Sequence, residues 1–277
     1  MAAKTVDEVL KEALEDFARH GYDSQERLQM WQGRLEEAAR ANFSSTSATE
    51  RVMREYFAAI YRKQIERGGI GRRHPGISRF TIDRVRPELR AELARRVRAS
   101  ADLIKLNRAE EIPAMLRRFA GFVTSIPAGG SDQFNKGDER RKIRKSLSGL
   151  SFRERRLMID QGHKLQSAIS SIVATGGGAI AAIWHSHWRQ TNYDYREPHK
   201  ERDGKLYVVR GNWAFEKGLA KLAGHKYIDD EDQPGELVFC RCYFSYLYSL
   251  RDLPKEMLTE KGAAELARLD ERKRAMA

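Results

Sequence analysis

The chain has 277 residues, a formal net charge of +12, 41% hydrophobic residues and 32% charged residues. No apolar run approaches the ~18 residues that cross a membrane, the best being Ala179-Ile180-Ala181-Ala182-Ile183-Trp184, and two cysteines exclude a disulfide framework. The basic excess favours a polyanionic neighbour, usually nucleic acid, and the high charged fraction suits elongated helices with wet faces better than one compact globule. Met1-Ala2-Ala3-Lys4 runs into acidic residues, so no secretory leader is expected; the cysteine usage fits a reducing compartment.

Val6, Val9, Leu10, Ala13, Leu14 and Phe17 recur at helical spacing, with Asp7 and Glu8 in the first turn and Gly21 as the stop. Asp23 or Ser24 caps a second helix to about Phe43, with Leu28, Trp31, Leu35 and Ala38-Ala39 as its apolar stripe. A third helix follows from Thr46, carrying Val52, Tyr56, Phe57, Ile60 and Tyr61. Gly68-Gly69-Ile70-Gly71 reads as a linker and His74-Pro75-Gly76 as a turn.

From Arg84 to about Ser125 a long helical pattern carries Leu89, Leu93, Val97, Leu103, Leu106, Ile112, Leu116 and Phe119 on one stripe. Pro87 fits its first turn, and Pro113 should kink or split it. Residues 126–138 read as the main linker. Ser151-x-x-Glu154 then offers a capping box for a helix to about Val173, ended by Gly176-Gly177-Gly178. The expected fold is mainly α with a small α+β C-terminal domain. Its parts are a helical docking module (1–125), the linker, an α+β domain (139–250) with a short antiparallel sheet around 180–248, and a C-terminal helix and tail (251–277).

The basic residues are concentrated. Residues 50–98 hold 14 Lys/Arg against 6 Asp/Glu, and residues 136–156 hold 9 against 3. One reading is a surface that neutralises phosphates without reading bases, through Arg72, Arg73, Arg140, Arg141, Lys142, Arg144 and Lys145. The other is that these are solvated helix faces. No zinc-finger spacing or basic-zipper heptad is present, so no sequence specificity is expected.

Residues 184–242 concentrate the remaining chemistry. Ile183 to Trp188 reads as a strand, which would put His185 and His187 on one face. Cys240 and Cys242 fall in a second predicted strand, Leu237 to Leu247, and would also share a face. Paired, these strands would gather two imidazoles and two thiolates into the tetrahedron that zinc prefers, with His199 as an alternative ligand. Against this, C-x-x-C serves structural zinc more readily than C-x-C, and buried cysteines are often small hydrophobes. No phosphate loop, no Gly-x-Ser-x-Gly elbow and no deaminase signature occurs, so no enzyme is expected. The reading from another class is a zinc-stapled nucleic-acid-binding or nucleic-acid-processing protein, a metal-dependent nuclease built on His185, His187, Asp194 and His199.

The order Trp184 (or Trp188), Asp194-Tyr195-Arg196-Glu197-Pro198-His199, Asp203-Gly204, Pro234 and Cys240-Arg241-Cys242 resembles the phage head morphogenesis family, the minor head proteins of the kind found in phage Mu. The resemblance covers about residues 140–250, after a variable helical region. Many relatives carry His-Pro-Asn before Cys-Arg-Cys, where this chain has Leu237-Val238-Phe239. The family match gives Trp184, Asp194, Arg196, His199, Gly204, Pro234, Cys240 and Cys242 as motif positions, with His199, Cys240 and Cys242 as the matched metal ligands; His187 is a geometric addition. Asp194 and Arg196 are expected to pair and hold the turn. The resemblance implies a low-copy virion protein at the portal vertex, acting in head assembly or head-to-tail joining. Its expected partners are a portal ring, whose symmetry its copies would follow, other head and tail proteins, and non-specifically bound double-stranded DNA.

Overall fold

Thr5 opens the first helix, α1 (Val6–His20), with a reciprocal cap: its hydroxyl accepts the Glu8 N–H, and the Glu8 carboxylate accepts the Thr5 N–H at 2.8 Å. The computed structural model describes residues 4–42, 46–126 and 150–275, without the side chains of 42, 46–48, 150–154 and 273. The chain folds as two units that do not follow its order: residues 1–54 with 97–158, and 55–96 with 159–277.

In the first unit, α1 and α2 (Gln25–Asn42) pack with the C-terminal part of α5 (Arg86–Ser125). Leu10, Ala13, Phe17, Trp31, Leu35, Met115, Phe119 and Val123 form one core, each large side chain contributing roughly 1.5–3 kcal/mol by leaving water. Phe17 sits at its centre, stacked on Tyr22 at 5.5 Å and edge-on to Phe119 at 6.2 Å. The Trp31 indole N–H is not left unpaired on burial, because it donates to Asp16 Oδ2 at 2.7 Å.

Two expectations for α5 fail in part. Pro113 lies inside a continuous helix and does not split it. One missing N–H bond is outweighed where Met115 and Phe119, directly after it, are fully buried. The buried stripe also runs through Val97, Ala101 and Ile104, leaving Leu103 and Leu106 exposed.

In the second unit, the end of α3 (Thr46–Tyr61) continues into a wide π-type turn, Arg62–Glu66, and a 3-10 turn, Gly69–Arg72. The glycine run is therefore no linker. Ile70 is buried, and a Cβ on Gly69 would lie 2.6 Å from the Lys63 carbonyl oxygen. α4 (Arg79–Arg84) and the start of α5 follow. α6 (Leu150–Gly177) ends at Gly178, whose φ of +70° favours glycine. The Ser151-x-x-Glu154 side chains lie outside the described residues, as does all of 127–149, which takes in the expected linker beyond Ile126 and the basic run Arg140, Arg141, Lys142, Arg144, Lys145.

A four-stranded sheet follows: β1 (Ala181–His185), β2 (Leu206–Val208), β3 (Lys226–Tyr227) and β4 (Tyr243–Leu247), in the order β3-β2-β1-β4. β1 is antiparallel to β2 and to β4, while β2 and β3 are parallel, so the sheet is mixed and not purely antiparallel. The reason lies in the connection, where the chain crosses over between β2 and β3 instead of turning straight back. Both faces are covered. Ala182, Trp184, Tyr207, Phe244 and Tyr246 pack with Ala174 and the two cysteines, whereas Ala181, Val208 and Leu247 pack with Leu250, Leu253 and Met257. A C-terminal helix closes the described chain, Glu260–Ala275.

Candidate metal centre

β1 ends at His185, so the alternation that would align His185 with His187 stops short of the second histidine. Trp184 points to the face that carries the cysteines. Its neighbour His185 points to the other face and stacks on Tyr243 at 4.8 Å. After a loop, Pro198 occupies the first turn of a one-turn helix, Glu197–Glu201, which turns His199 inward against the Trp184 ring at 5.3 Å. Gly204, at φ +78°, makes the tight return whose N–H bonds the Trp184 carbonyl at 2.8 Å.

The cysteines precede β4 and are not part of it; the strand begins at Tyr243. Leu237, Val238 and Phe239 are exposed, and Phe239 has φ +60°, which breaks the expected strand before the thiols. Bonds to distant residues hold this irregular segment. Phe239 N–H donates to Asp160 Oδ1 at 2.5 Å, Arg196 donates to the Val238 carbonyl at 2.9 Å, and Arg241 N–H donates to the Tyr193 hydroxyl at 3.2 Å. The loop carrying the Arg196 turn is thereby tied to the segment carrying the thiols.

His199, Cys240 and Cys242 form a buried cluster able to hold a metal ion. Their ligand atoms all lie within 4.8 Å of one another, and the side chains belong to residues only 3%, 1% and 4% exposed. His199 Nδ1 is 3.6 Å from the Cys240 sulfur and 3.5 Å from the Cys242 sulfur. Its other nitrogen, Nε2, faces Asp232 Oδ2 at 3.0 Å. An ionised carboxylate only accepts, so Nε2 carries the proton and Nδ1 offers its lone pair to the thiols. Asp232 is itself fixed by Arg202, which contacts Asp232 Oδ1 and Glu231 Oε2 at 2.9 Å each. Burial pushes the Asp232 carboxyl up, but the Arg202 guanidinium bonded to it brings it below its usual range.

The two thiols are pushed in opposite directions. Cys240 is pushed down first by the hydrogen bond from Cys242 and then, against burial, by the backbone of Gly235 and Cys242. Cys242 is pushed up because it donates in that pair and is buried. No disulfide is formed.

The remaining predicted positions scatter around this centre. Pro234 is buried beside Gly235, whose φ of +88° brings the turn so close to Ser167 that a Cβ would lie 2.6 Å from its Oγ. His187 stands outside the trio. Its ring meets Tyr193 and Tyr243 edge-on, and its Nδ1 is buried with no partner among the described residues. Asp194 is exposed and does not pair with Arg196, because the arginine is turned to the Val238 carbonyl. Arg72 is exposed. Arg73 is half-buried and bonds Ser170 Oγ at 3.3 Å and Gln166 Oε1 at 3.2 Å.

Asp232, Glu231, Arg202 and Asp160 were not singled out from the sequence. The run Asp229-Asp230-Glu231-Asp232, in a chain this basic, was the available signal for the first two. No family model, no curated protein and no solved structure matches the chain.

Proposed function

We propose that the chain is a structural protein of a phage head, acting at the portal vertex in head morphogenesis and head-to-tail joining, with its C-terminal unit stapled by zinc. One observation carries the reading. Motif pieces spread over residues 184–242 converge on one buried point, with His199 and both cysteines forming the trio and Trp184 packed against it. Such convergence supports the resemblance to minor head proteins, whose motif is made of these positions.

The donor set fits zinc. Bonds of about 2.3 Å to sulfur and about 2.0 Å to nitrogen, at tetrahedral angles, put each sulfur about 3.5 Å from the nitrogen. The observed separations are 3.5 and 3.6 Å. A nitrogen and two sulfurs are also the ligand types that select zinc over magnesium or calcium.

Three ligands with an open fourth position also occur in catalytic zinc sites, which is the basis of the nuclease reading. Burial weighs against it. Ligand residues no more than 4% exposed leave a phosphodiester no route to the metal. The structural role is therefore preferred, and His187, which stands outside the trio, would have to turn inward to supply a fourth ligand.

Mass spectrometry of purified phage particles, with co-purification of the chain on a portal ring, tests the function. The expected result is a stable, stoichiometric ring complex. Absence from particles together with chelator-sensitive DNA cleavage, lost in His199→Ala, would establish the nuclease instead.

A further inference from the structure

We infer that the recess between α6, β4 and the Gln233–Glu236 turn is a binding site for a phosphate group. It encloses about 350 Å³ and is lined by Arg73, Arg96, Lys164, Ser167 and Ser171. Lys164, Ser167 and Ser171 stand at i, i+3 and i+7, so one face of α6 presents an ammonium and two hydroxyls to the same space.

Arg73 is the central observation. Its guanidinium lies 5.1 Å over the Tyr243 ring and bonds only the neutral Ser170 and Gln166 side chains. Among the described residues no carboxylate pairs with it. A half-buried cation without a counter-ion is costly, and an oxyanion in the recess would remove that cost. The other cations of the recess already have partners. Arg96 is held by Glu92 at 2.8 Å, and Lys164 reaches Asp160 at 3.8 Å and donates to the Glu236 carbonyl.

The one carboxylate of the lining, Glu236, is exposed and accepts the Gln233 N–H at 2.9 Å. A guanidinium fork from the segment after the Gly69–Arg72 turn, with an ammonium and two hydroxyls from α6, exceeds what a planar carboxylate can accept and matches a tetrahedral oxyanion. The glycine at 235 has a part in this, since it lets the turn approach Ser167. The phosphate can come from a free or monoester ion or from a nucleic-acid backbone, for which exposed Arg72 would be the adjacent contact. The inference does not depend on the metal.

Calorimetric titration of the full chain with inorganic phosphate, at ionic strength matched with chloride, tests it. Saturable one-site binding is expected, weakened at least tenfold by Arg73→Gln and by Lys164→Gln and unchanged by Arg72→Gln. Because Arg73 also holds Ser170 and Gln166, Lys164→Gln and Ser171→Ala keep the test valid if the arginine variant misfolds. A short DNA duplex that competes with phosphate in the parent, and loses affinity in Lys164→Gln, identifies the backbone as the source. A duplex that does not compete identifies the free or monoester ion. No saturable uptake, or an affinity unchanged in both Lys164→Gln and Ser171→Ala, overturns the site.

Discussion

Asp232 Oδ2 accepts the Nε2–H of His199 at 3.0 Å, and this bond decides which histidine nitrogen faces the two thiols. A carboxylate behind a ligating histidine fixes the tautomer and raises ligand basicity, typically worth about 10–100-fold in metal affinity. Asp232→Asn should therefore weaken zinc binding by about that factor, read by competition with a chromophoric chelator. Cys240→Ser with Cys242→Ser should abolish binding and lower the melting temperature of the second unit while the helical core around Phe17 stays folded. A metal-free chain that melts as the parent does, in the presence or absence of chelator, would remove the staple.

His74 gives a pH prediction. It is fully buried, stacked on Tyr246 at 4.9 Å, and its Nδ1 lies 2.5 Å from the Tyr248 hydroxyl. Burial, helped by the neighbouring Arg73 charge, pushes its pKa from 6.5 to about 3. The unfolded chain therefore binds a proton below pH 6.5 that the folded chain refuses, so stability falls as pH drops from about 6.5 towards 3. In His74→Gln this part of the slope should vanish. Denaturant melts of both proteins between pH 7 and pH 4 would show it, and parallel curves would mean that the histidine is not held neutral.

The helical half was legible because its signals are local. Thr5 and Glu8 cap α1, the apolar spacing gives α1 and α2 their buried faces, and Gly178 stops α6, all within a few residues of chain. The phase of the stripe in α5 was not legible, because Leu103 and Ile104 are equally apolar and only packing chooses between them. At the centre, the resemblance pointed to His199, Cys240 and Cys242, whereas strand periodicity chose His185 and His187 and was the wrong geometry for the thiols. Phe239 at φ +60° and the bond from Phe239 to Asp160 place them, and both depend on contacts 79 residues apart in sequence. Asp232 was hidden for the same reason, standing 33 residues from the histidine it orients.

Gly262 should be irreplaceable for a steric reason. It lies in the first turn of the C-terminal helix, where a Cβ would come within 1.9 Å of the Leu219 carbonyl oxygen. That carbonyl also accepts the Thr259 N–H at 3.1 Å, so it cannot swing away without breaking the link that seats the helix. Overpacking of this kind costs about 1–3 kcal/mol. Gly262→Ala should lower stability by that amount, whereas Gly33→Ala, where a Cβ meets nothing within 4 Å, should leave it unchanged or raise it slightly. Equal melting of the two variants would show that the C-terminal helix is not seated there.

The basic run 140–145 and exposed Arg72 bear on DNA. If they neutralise phosphates, binding must weaken with salt, with log K falling by about 0.9 per phosphate contact for each unit of log salt. Reversing Arg140, Arg141 and Arg144 to Glu together should then weaken binding to a fluorescent duplex and reduce that slope by about 2–3. Arg72→Glu alone should change the slope by about 1. Because phosphate contacts carry no sequence information, duplexes of different sequence should bind alike throughout. Anisotropy titrations across a range of sodium chloride would measure all three. Binding by the parent that does not respond to salt would assign these residues to solvated faces and leave the +12 charge to solubility or an acidic protein partner.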